Sequence, residues 1–199
     1  MRCEDIASHP DFRPLAALPE VAVDLRYASA RNFVGRDLYG SLDCAWLHRL
    51  AAEGLQQAAA RLAAAAPGHR LLVLDAVRPH RVQVELWDFL DGTELRQYVA
   101  DPAIGSIHSF GMALDVTLID AAGHELDMGT GYDAMVPLSH PRLEAQHLAS
   151  GALSPRQVQH RELLRGVLLA SGFQGISNEW WHFDMGDRQQ VRREFTRVE

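Results

Sequence analysis

Two short segments hold the side chains best placed for chemistry. Ser106-Ile107-His108-Ser109-Phe110-Gly111-Met112-Ala113-Leu114-Asp115 carries an imidazole and a carboxylate seven residues apart. Glu179-Trp180-Trp181-His182-Phe183 carries a second imidazole three residues after a carboxylate. On a straight strand an odd separation sets His108 and Asp115 on opposite faces. Gly111 is where the chain can bend or bulge to bring them together. Asp115 stands among Met112, Ala113, Leu114, Val116 and Leu118, where a carboxylate is costly unless it is paired or holds a metal. Together His108, Asp115 and His182 would supply nitrogen, oxygen and nitrogen to one zinc ion. Three protein ligands leave a fourth position for water, the catalytic arrangement of that metal, and the ion can bring the water's pKa to about 7. Glu179 lies against the apolar wall of Trp180 and Trp181, a setting that raises a carboxylate pKa and suits a general base or acid. The same spacing also fits a core histidine, a salt-bridged aspartate and an aromatic cluster, so both readings stand.

Arg78 follows a buried run in Leu74-Asp75-Ala76-Val77-Arg78-Pro79. A guanidinium at a strand end can stabilise an oxyanion; a plain salt bridge with Asp75 or Glu85 is the other reading. The remaining histidines, His9, His48, His69, His80, His124, His140, His147 and His160, sit among polar or helix-surface residues and read as solvated. Cys3 and Cys44 could form one bridge at most and cannot build a cysteine zinc site, so they read as reduced, partly buried thiols.

These groups need a scaffold. The 199 residues, 47% hydrophobic and 23% charged, suit one globular domain over 1–199. Nineteen basic against 26 acidic side chains give −7, which argues against a nucleic-acid partner. No stretch reaches the roughly 20 apolar residues of a membrane span, and Met1 to Arg13 lacks a basic-then-apolar leader, so a soluble cytoplasmic protein is expected.

Alternation predicts strands over Val21–Tyr27, Arg70–Val77, Gly111–Ile119 and Trp180–Met185. Helices are expected from an Asp43 cap to Ala66, from Pro79 to Leu90, over His160–Ser171, and from Asp187 onward. The apolar stripe Leu47, Leu50, Ala51, Leu55, Ala58 and Leu62 suits a core better than a subunit contact, and the oligomeric state stays open. Residues 31–42 and 129–155 read as loops, with a turn at 121–124 before a short return strand. Irregular interleaving of strands and helices points to an α+β fold: a central antiparallel sheet with helices packed around it, in one domain.

From about Val21 to Met185 the chain resembles the zinc D-alanyl-D-alanine dipeptidases, the family that includes the vancomycin-resistance enzymes. The resemblance is carried by Arg26-Tyr27-Ala28 with Asn32-Phe33, Asp75 to Pro79, Ser106 to Asp115, Met128-Gly129-Thr130 with Tyr132-Asp133, and Glu179 to His182. It implies one zinc ion per chain on His108, Asp115 and His182. It implies Glu179 as catalytic base and proton shuttle, and Arg78 as stabiliser of the transition state. Tyr27, Ser106 and Asp133 would hold a small dipeptide substrate, with Asp133 on its ammonium group; Tyr39 would join the same pocket. Trp180 or Trp181 with Tyr27 would close a pocket for alanine-sized side chains. Phe110, Val77 and Leu86 depart from residues found in some relatives, which leaves side-chain preference open. A D,D- or L,D-carboxypeptidase acting on wall fragments and a non-catalytic zinc-binding module are the alternatives.

Overall fold

The computed structural model describes residues 1–199. Five strands form its main sheet in the order β2-β4-β5-β7-β6. β4 (Arg70–Asp75), β5 (Ala113–Ile119), β7 (His182–Met185) and β6 (Phe173–Gly175) run antiparallel to their neighbours, while β2 (Ala22–Val23) lies parallel to β4 at the edge. A separate antiparallel pair joins β1 (Phe12–Pro14) to β3 (Trp46–His48). The expected α+β class holds, with one parallel edge in an otherwise antiparallel sheet.

β4 and β5 are buried almost end to end, as their apolar runs require. One face of this layer packs on α1 (Arg49–Ala65) and α4 (Pro155–Leu169). Ala51, Leu55, Ala58 and Leu62 of α1 meet Leu164, Val167 and Leu168 of α4 in the largest core. A second core gathers around α2 (His80–Phe89) with Tyr27, Tyr39, Val82 and Leu86.

Several boundaries differ from the expectations above, each for a local reason. The Val21–Tyr27 strand shrinks to Ala22–Val23, because Arg26–Ala28 turns into a 3-10 helix that buries Tyr27. The first long helix starts at Arg49, capped by His48, whose ring nitrogen accepts from the Leu50 amide. Asp43 instead accepts from the Ala45 amide and the Trp46 indole, and Leu47 is used by β3. Leu50, assigned above to the buried stripe, is exposed. Pro79 caps α2 rather than entering its first turn.

α4 begins five residues earlier than expected. Ser154 and Gln157 form a reciprocal capping box and Pro155 occupies the first turn, a strong start signal. α3 (Glu144–Ala149) interrupts the expected 129–155 loop, and the return strand after 121–124 is only a bridge between Ile119 and Glu125. The C-terminal α5 (Arg188–Glu194) is capped by Asp187, as the sequence suggests. No helix is long and apolar enough to cross a membrane.

Two histidines read as solvated are buried: His48 at the α1 cap, and His140, whose Nε2 lies 2.8 Å from the Tyr98 hydroxyl. Cys3 and Cys44 are free and fully rather than partly buried, with their sulfurs 4.0 Å apart.

Candidate active site

The site begins with register. Asp75 pairs with Asp115, and Asp115 pairs with His182, across β4, β5 and β7. Residues directly opposite on neighbouring strands share a face, so these three side chains stand in a row. Asp75 reaches that row through a β-bulge: the register of β4 on β5 shifts between Val73 and Asp75. Without the bulge, strict alternation through Leu74 would turn Asp75 toward the apolar layer with Leu71 and Val73.

His108 arrives from outside the sheet. It lies in a 3-10 turn over Ile107–Phe110 that ends at Gly111 in the left-handed region, with φ +64°. The bend expected at Gly111 is therefore present, and β5 starts two residues later. A side chain at Gly111 would also strike the His48 backbone nitrogen at 2.7 Å.

His108 Nε2 and His182 Nδ1 lie 3.2 Å apart, and Asp115 Oδ1 is 3.4 Å from the first and 3.0 Å from the second. Other groups hold the remaining ring nitrogens. His108 Nδ1 is 2.8 Å from the Ala76 carbonyl oxygen, which can only accept, so Nδ1 donates there and Nε2 is the nitrogen that faces Asp115 and His182. His182 Nε2 faces Asp184 Oδ1 at 2.9 Å, which leaves Nδ1 for the cleft. Asp184 in turn accepts from Arg188 Nε at 2.6 Å. Burial opposes the charge on Asp184, but His182 and Arg188 outweigh it and hold the carboxyl down at about 2. On Asp115, too, burial is overcome by His108 and His182, and its pKa falls well below the usual range.

An N, O, N donor set with both imidazoles oriented by outer partners has the chemistry of a catalytic metal site. Tyr132 adds to it by donating to the other oxygen of Asp115 at 3.0 Å.

A cleft of about 210 Å³ opens beside these ligands. It brings together all eight candidate residues: Tyr27, Arg78, Ser106, His108, Asp115, Asp133, Glu179 and His182. Arg78 is buried and fully engaged. It donates to Asp75 at 2.8 Å, to Gln83 at 3.1 Å and to Asp115 at 3.2 Å, and its guanidinium lies 4.9 Å from the centre of the Tyr27 ring. The salt-bridge reading with Asp75 is thus correct and compatible with a place in the cleft; Glu85 pairs with Arg36 instead. Burial pushes Glu179 up to about 7, with Asp115 adding to the effect and His182 and Arg78 opposing it.

Asp133 has the most unusual surroundings. It is the one non-glycine residue at positive φ, +58°, a sparsely populated conformation that clusters at functional sites. Oδ1 accepts from the Tyr27 hydroxyl at 3.2 Å, while Oδ2 is buried with no partner. Burial and the nearby Asp115 raise its pKa well above the carboxylate range, against the pull of Arg78.

The loop carrying Asp133 is fixed from behind. Arg161 of α4 is almost wholly buried and donates to the carbonyls of Met128 at 2.7 Å and Leu138 at 3.1 Å. Trp180 donates to Thr130 at 2.8 Å. Trp180 therefore supports the loop, and Trp181 alone of the two lines the cleft. Tyr39 is buried beneath, donating to Asp75, and does not reach the cleft. Phe110, Val77 and Leu86 are also core residues rather than lining residues.

Reading the sequence for chemistry passed over Gln83 and Asp184, and gave Asp75 only as a salt-bridge partner of Arg78 and Tyr132 only as part of a motif. Asp184 was within reach of it: two residues after His182 in a strand, it must share that residue's face.

Residues 11–199 match the profile of a peptidase family described as D-ala-D-ala dipeptidase. The chain is 38% identical over 167 residues to a D-alanyl-D-alanine dipeptidase of Escherichia coli (strain K12), covering 84% of this chain and 80% of that protein. It is 32% identical over 185 residues to a D-alanyl-D-alanine dipeptidase of Enterococcus faecium, covering 82% and 85%. A third, from Enterococcus faecalis (strain ATCC 700802 / V583), is 30% identical over 183 residues, with the same coverage of 82% and 85%.

Proposed function

Because the chain belongs to the D-Ala-D-Ala dipeptidase family of metallopeptidases, we propose that it hydrolyses D-alanyl-D-alanine to free alanine with one zinc ion per chain. The observation that carries the dipeptide reading is the unpartnered, buried Oδ2 of Asp133 at the edge of the cleft. A buried polar atom without a partner is costly, and a substrate's ammonium group would supply the missing donors. Because that group must lie against Asp133, a peptide with a long N-terminal extension is excluded.

The donor set of His108, Asp115 and His182 suits zinc, which when bound supplies Lewis-acid polarisation of the scissile carbonyl and acidification of a water. Glu179, with its carboxyl near neutrality, takes a proton from the attacking water and passes it to the leaving amine. Arg78 is locked by Asp75 and Gln83 with its fork beside Asp115, where it offsets negative charge developing on the carbonyl oxygen. Tyr27 orients Asp133 through its hydroxyl, and Ser106 lies on the cleft wall within reach of the dipeptide. Trp181 and Tyr27 supply an apolar boundary consistent with side chains as small as a methyl group.

The whole chain acts as one peptidase domain in this reading. Its ends meet, with the Met1 amine donating to the Arg197 carbonyl at 2.6 Å and the Glu199 amide to the Met1 carbonyl at 2.7 Å.

The test is turnover across D,D, L,D and L,L dipeptides and N-acetyl-D-Ala-D-Ala, before and after chelation, with metal content measured on the same samples. Free D-Ala-D-Ala should be cleaved, the acetylated form should not, and zinc should restore what the chelator removes. Equal cleavage of blocked and free dipeptides would remove the ammonium role of Asp133. Full activity in metal-free protein would remove the zinc.

A further inference from the structure

A free dipeptide carries a carboxylate as well as an ammonium group, and enclosing either without a partner is unfavourable. Three guanidinium groups line the cleft: Arg78, Arg188 and Arg192. Two are taken. Arg78 is held by Asp75, Asp115 and Gln83, and Arg188 by Asp184.

Arg192 differs. No carboxylate lies within ion-pairing distance of it, and its sole hydrogen-bond partner in the protein is the Gly105 carbonyl, which accepts from Nε at 2.9 Å. The acid whose charge acts on it, Asp184, has its oxygens engaged by His182 and Arg188. Nη1 and Nη2 of Arg192 are therefore free, on a group that is half-buried and anchored by its inner nitrogen. That anchor is the residue before Ser106, two before Ile107 and three before His108. It ties Arg192 to the wall that delivers a metal-ligand candidate. The fork of a guanidinium matches a carboxylate in two parallel hydrogen bonds.

We infer that Arg192 receives the C-terminal carboxylate of the dipeptide and restricts the enzyme to substrates that end in a free acid. This rests on the D-Ala-D-Ala reading and deepens it. Asp133 and Arg192 then fix the two charged ends of one short substrate. Neither a blocked amine nor a blocked acid satisfies both.

The experiment compares kcat/KM for D-Ala-D-Ala and for D-Ala-D-alaninamide in the parent enzyme, Arg192→Met and Arg192→Lys. The parent should prefer the acid by about tenfold to a hundredfold, the range set by one charged hydrogen-bonding partner. Arg192→Met should lose about that factor on the acid, mainly through KM, and far less on the amide, so that the preference collapses. Arg192→Lys should recover part of it. Calorimetric binding of D-Ala-D-Ala in a Glu179→Gln background, with and without Arg192→Met, should weaken by a similar factor. If the parent cleaves the acid and Arg192→Met keeps the full preference and affinity, the assignment fails alone. If the parent cleaves neither compound and binds no dipeptide, the D-Ala-D-Ala reading fails with it.

Discussion

The two ends of the cleft are built on opposite principles. At one end, His108, Asp115 and His182 stand on paired strands and an adjoining turn, and their outer atoms are met by Ala76, Tyr132 and Asp184. At the other end, Asp133 sits on a loop in a strained conformation, with one buried oxygen unmet. Register places the first end, because strand pairing allows few alternatives. The second is held by long side chains reaching in from α4 and from the segment before β7. The His108, Asp115 and His182 end thus has its outer partners within the protein, while the Asp133 end keeps one buried oxygen unmet. Pre-organised catalytic groups and a substrate-satisfied anchor are what differential binding of a small zwitterion calls for.

The sharpest test of this contrast is Glu179→Gln. Turnover should fall by about 10²–10⁴-fold, the usual share of a general base, with metal content and dipeptide binding retained. Loss of the metal in that variant would show that the two ends are not separable. In the proposed mechanism the same carboxyl should set the acid limb of the pH profile. It must be ionised to accept a proton, so kcat/KM falls as pH drops through its pKa. Burial, with Asp115 adding to it and His182 and Arg78 opposing it, places that pKa at about 7, against an ordinary 4.5, and a bound dication beside it would pull it downward. The limb should lie between these values, and stopped assays from pH 4 to 9 would locate it.

Next in size is Asp184→Asn. The amide can still accept from His182 but cannot balance its charge. Zinc affinity, read by competition with a chromophoric chelator, should weaken by about 10–100-fold. Asp133→Asn, at the opposite end, should leave zinc affinity unchanged and raise KM for free dipeptide by about 10–100-fold. A matching shift in metal affinity for both variants would erase the distinction between the ends.

The smallest effect is expected at Arg161→Met. Removing the guanidinium leaves the carbonyls of Met128 and Leu138 unmet, at about 1–3 kcal/mol of stability in denaturant unfolding. KM should rise while the metal end stays intact.

These contrasts also explain what could be read from the sequence. His108, Asp115, His182 and Glu179 stood out because polar groups inside apolar strands and beside paired tryptophans are rare and expensive. α1, α2, α5, β4 and β5 followed from periodicity and stop signals. The β1–β3 pair and β6 did not, because three-residue strands owe their existence to a partner distant in sequence. The His48 cap escaped notice because an imidazole seldom fills that role, whereas Asp43 had the usual type in a plausible place. Asp133 and Arg161 gave no periodic signal at all. The first is marked by a backbone angle, and the second by carbonyls that come near it only when the loop closes over α4.

The bulge in β4 has a consequence for the arginine beyond it. In an even ladder Leu74 would take the place opposite Asp115, and Asp75 with everything after it would be carried on by one residue's rise, about 3.3 Å. That distance exceeds the tolerance of any contact Arg78 makes, so the bulge takes up the slack of one residue and keeps the guanidinium level with Asp115.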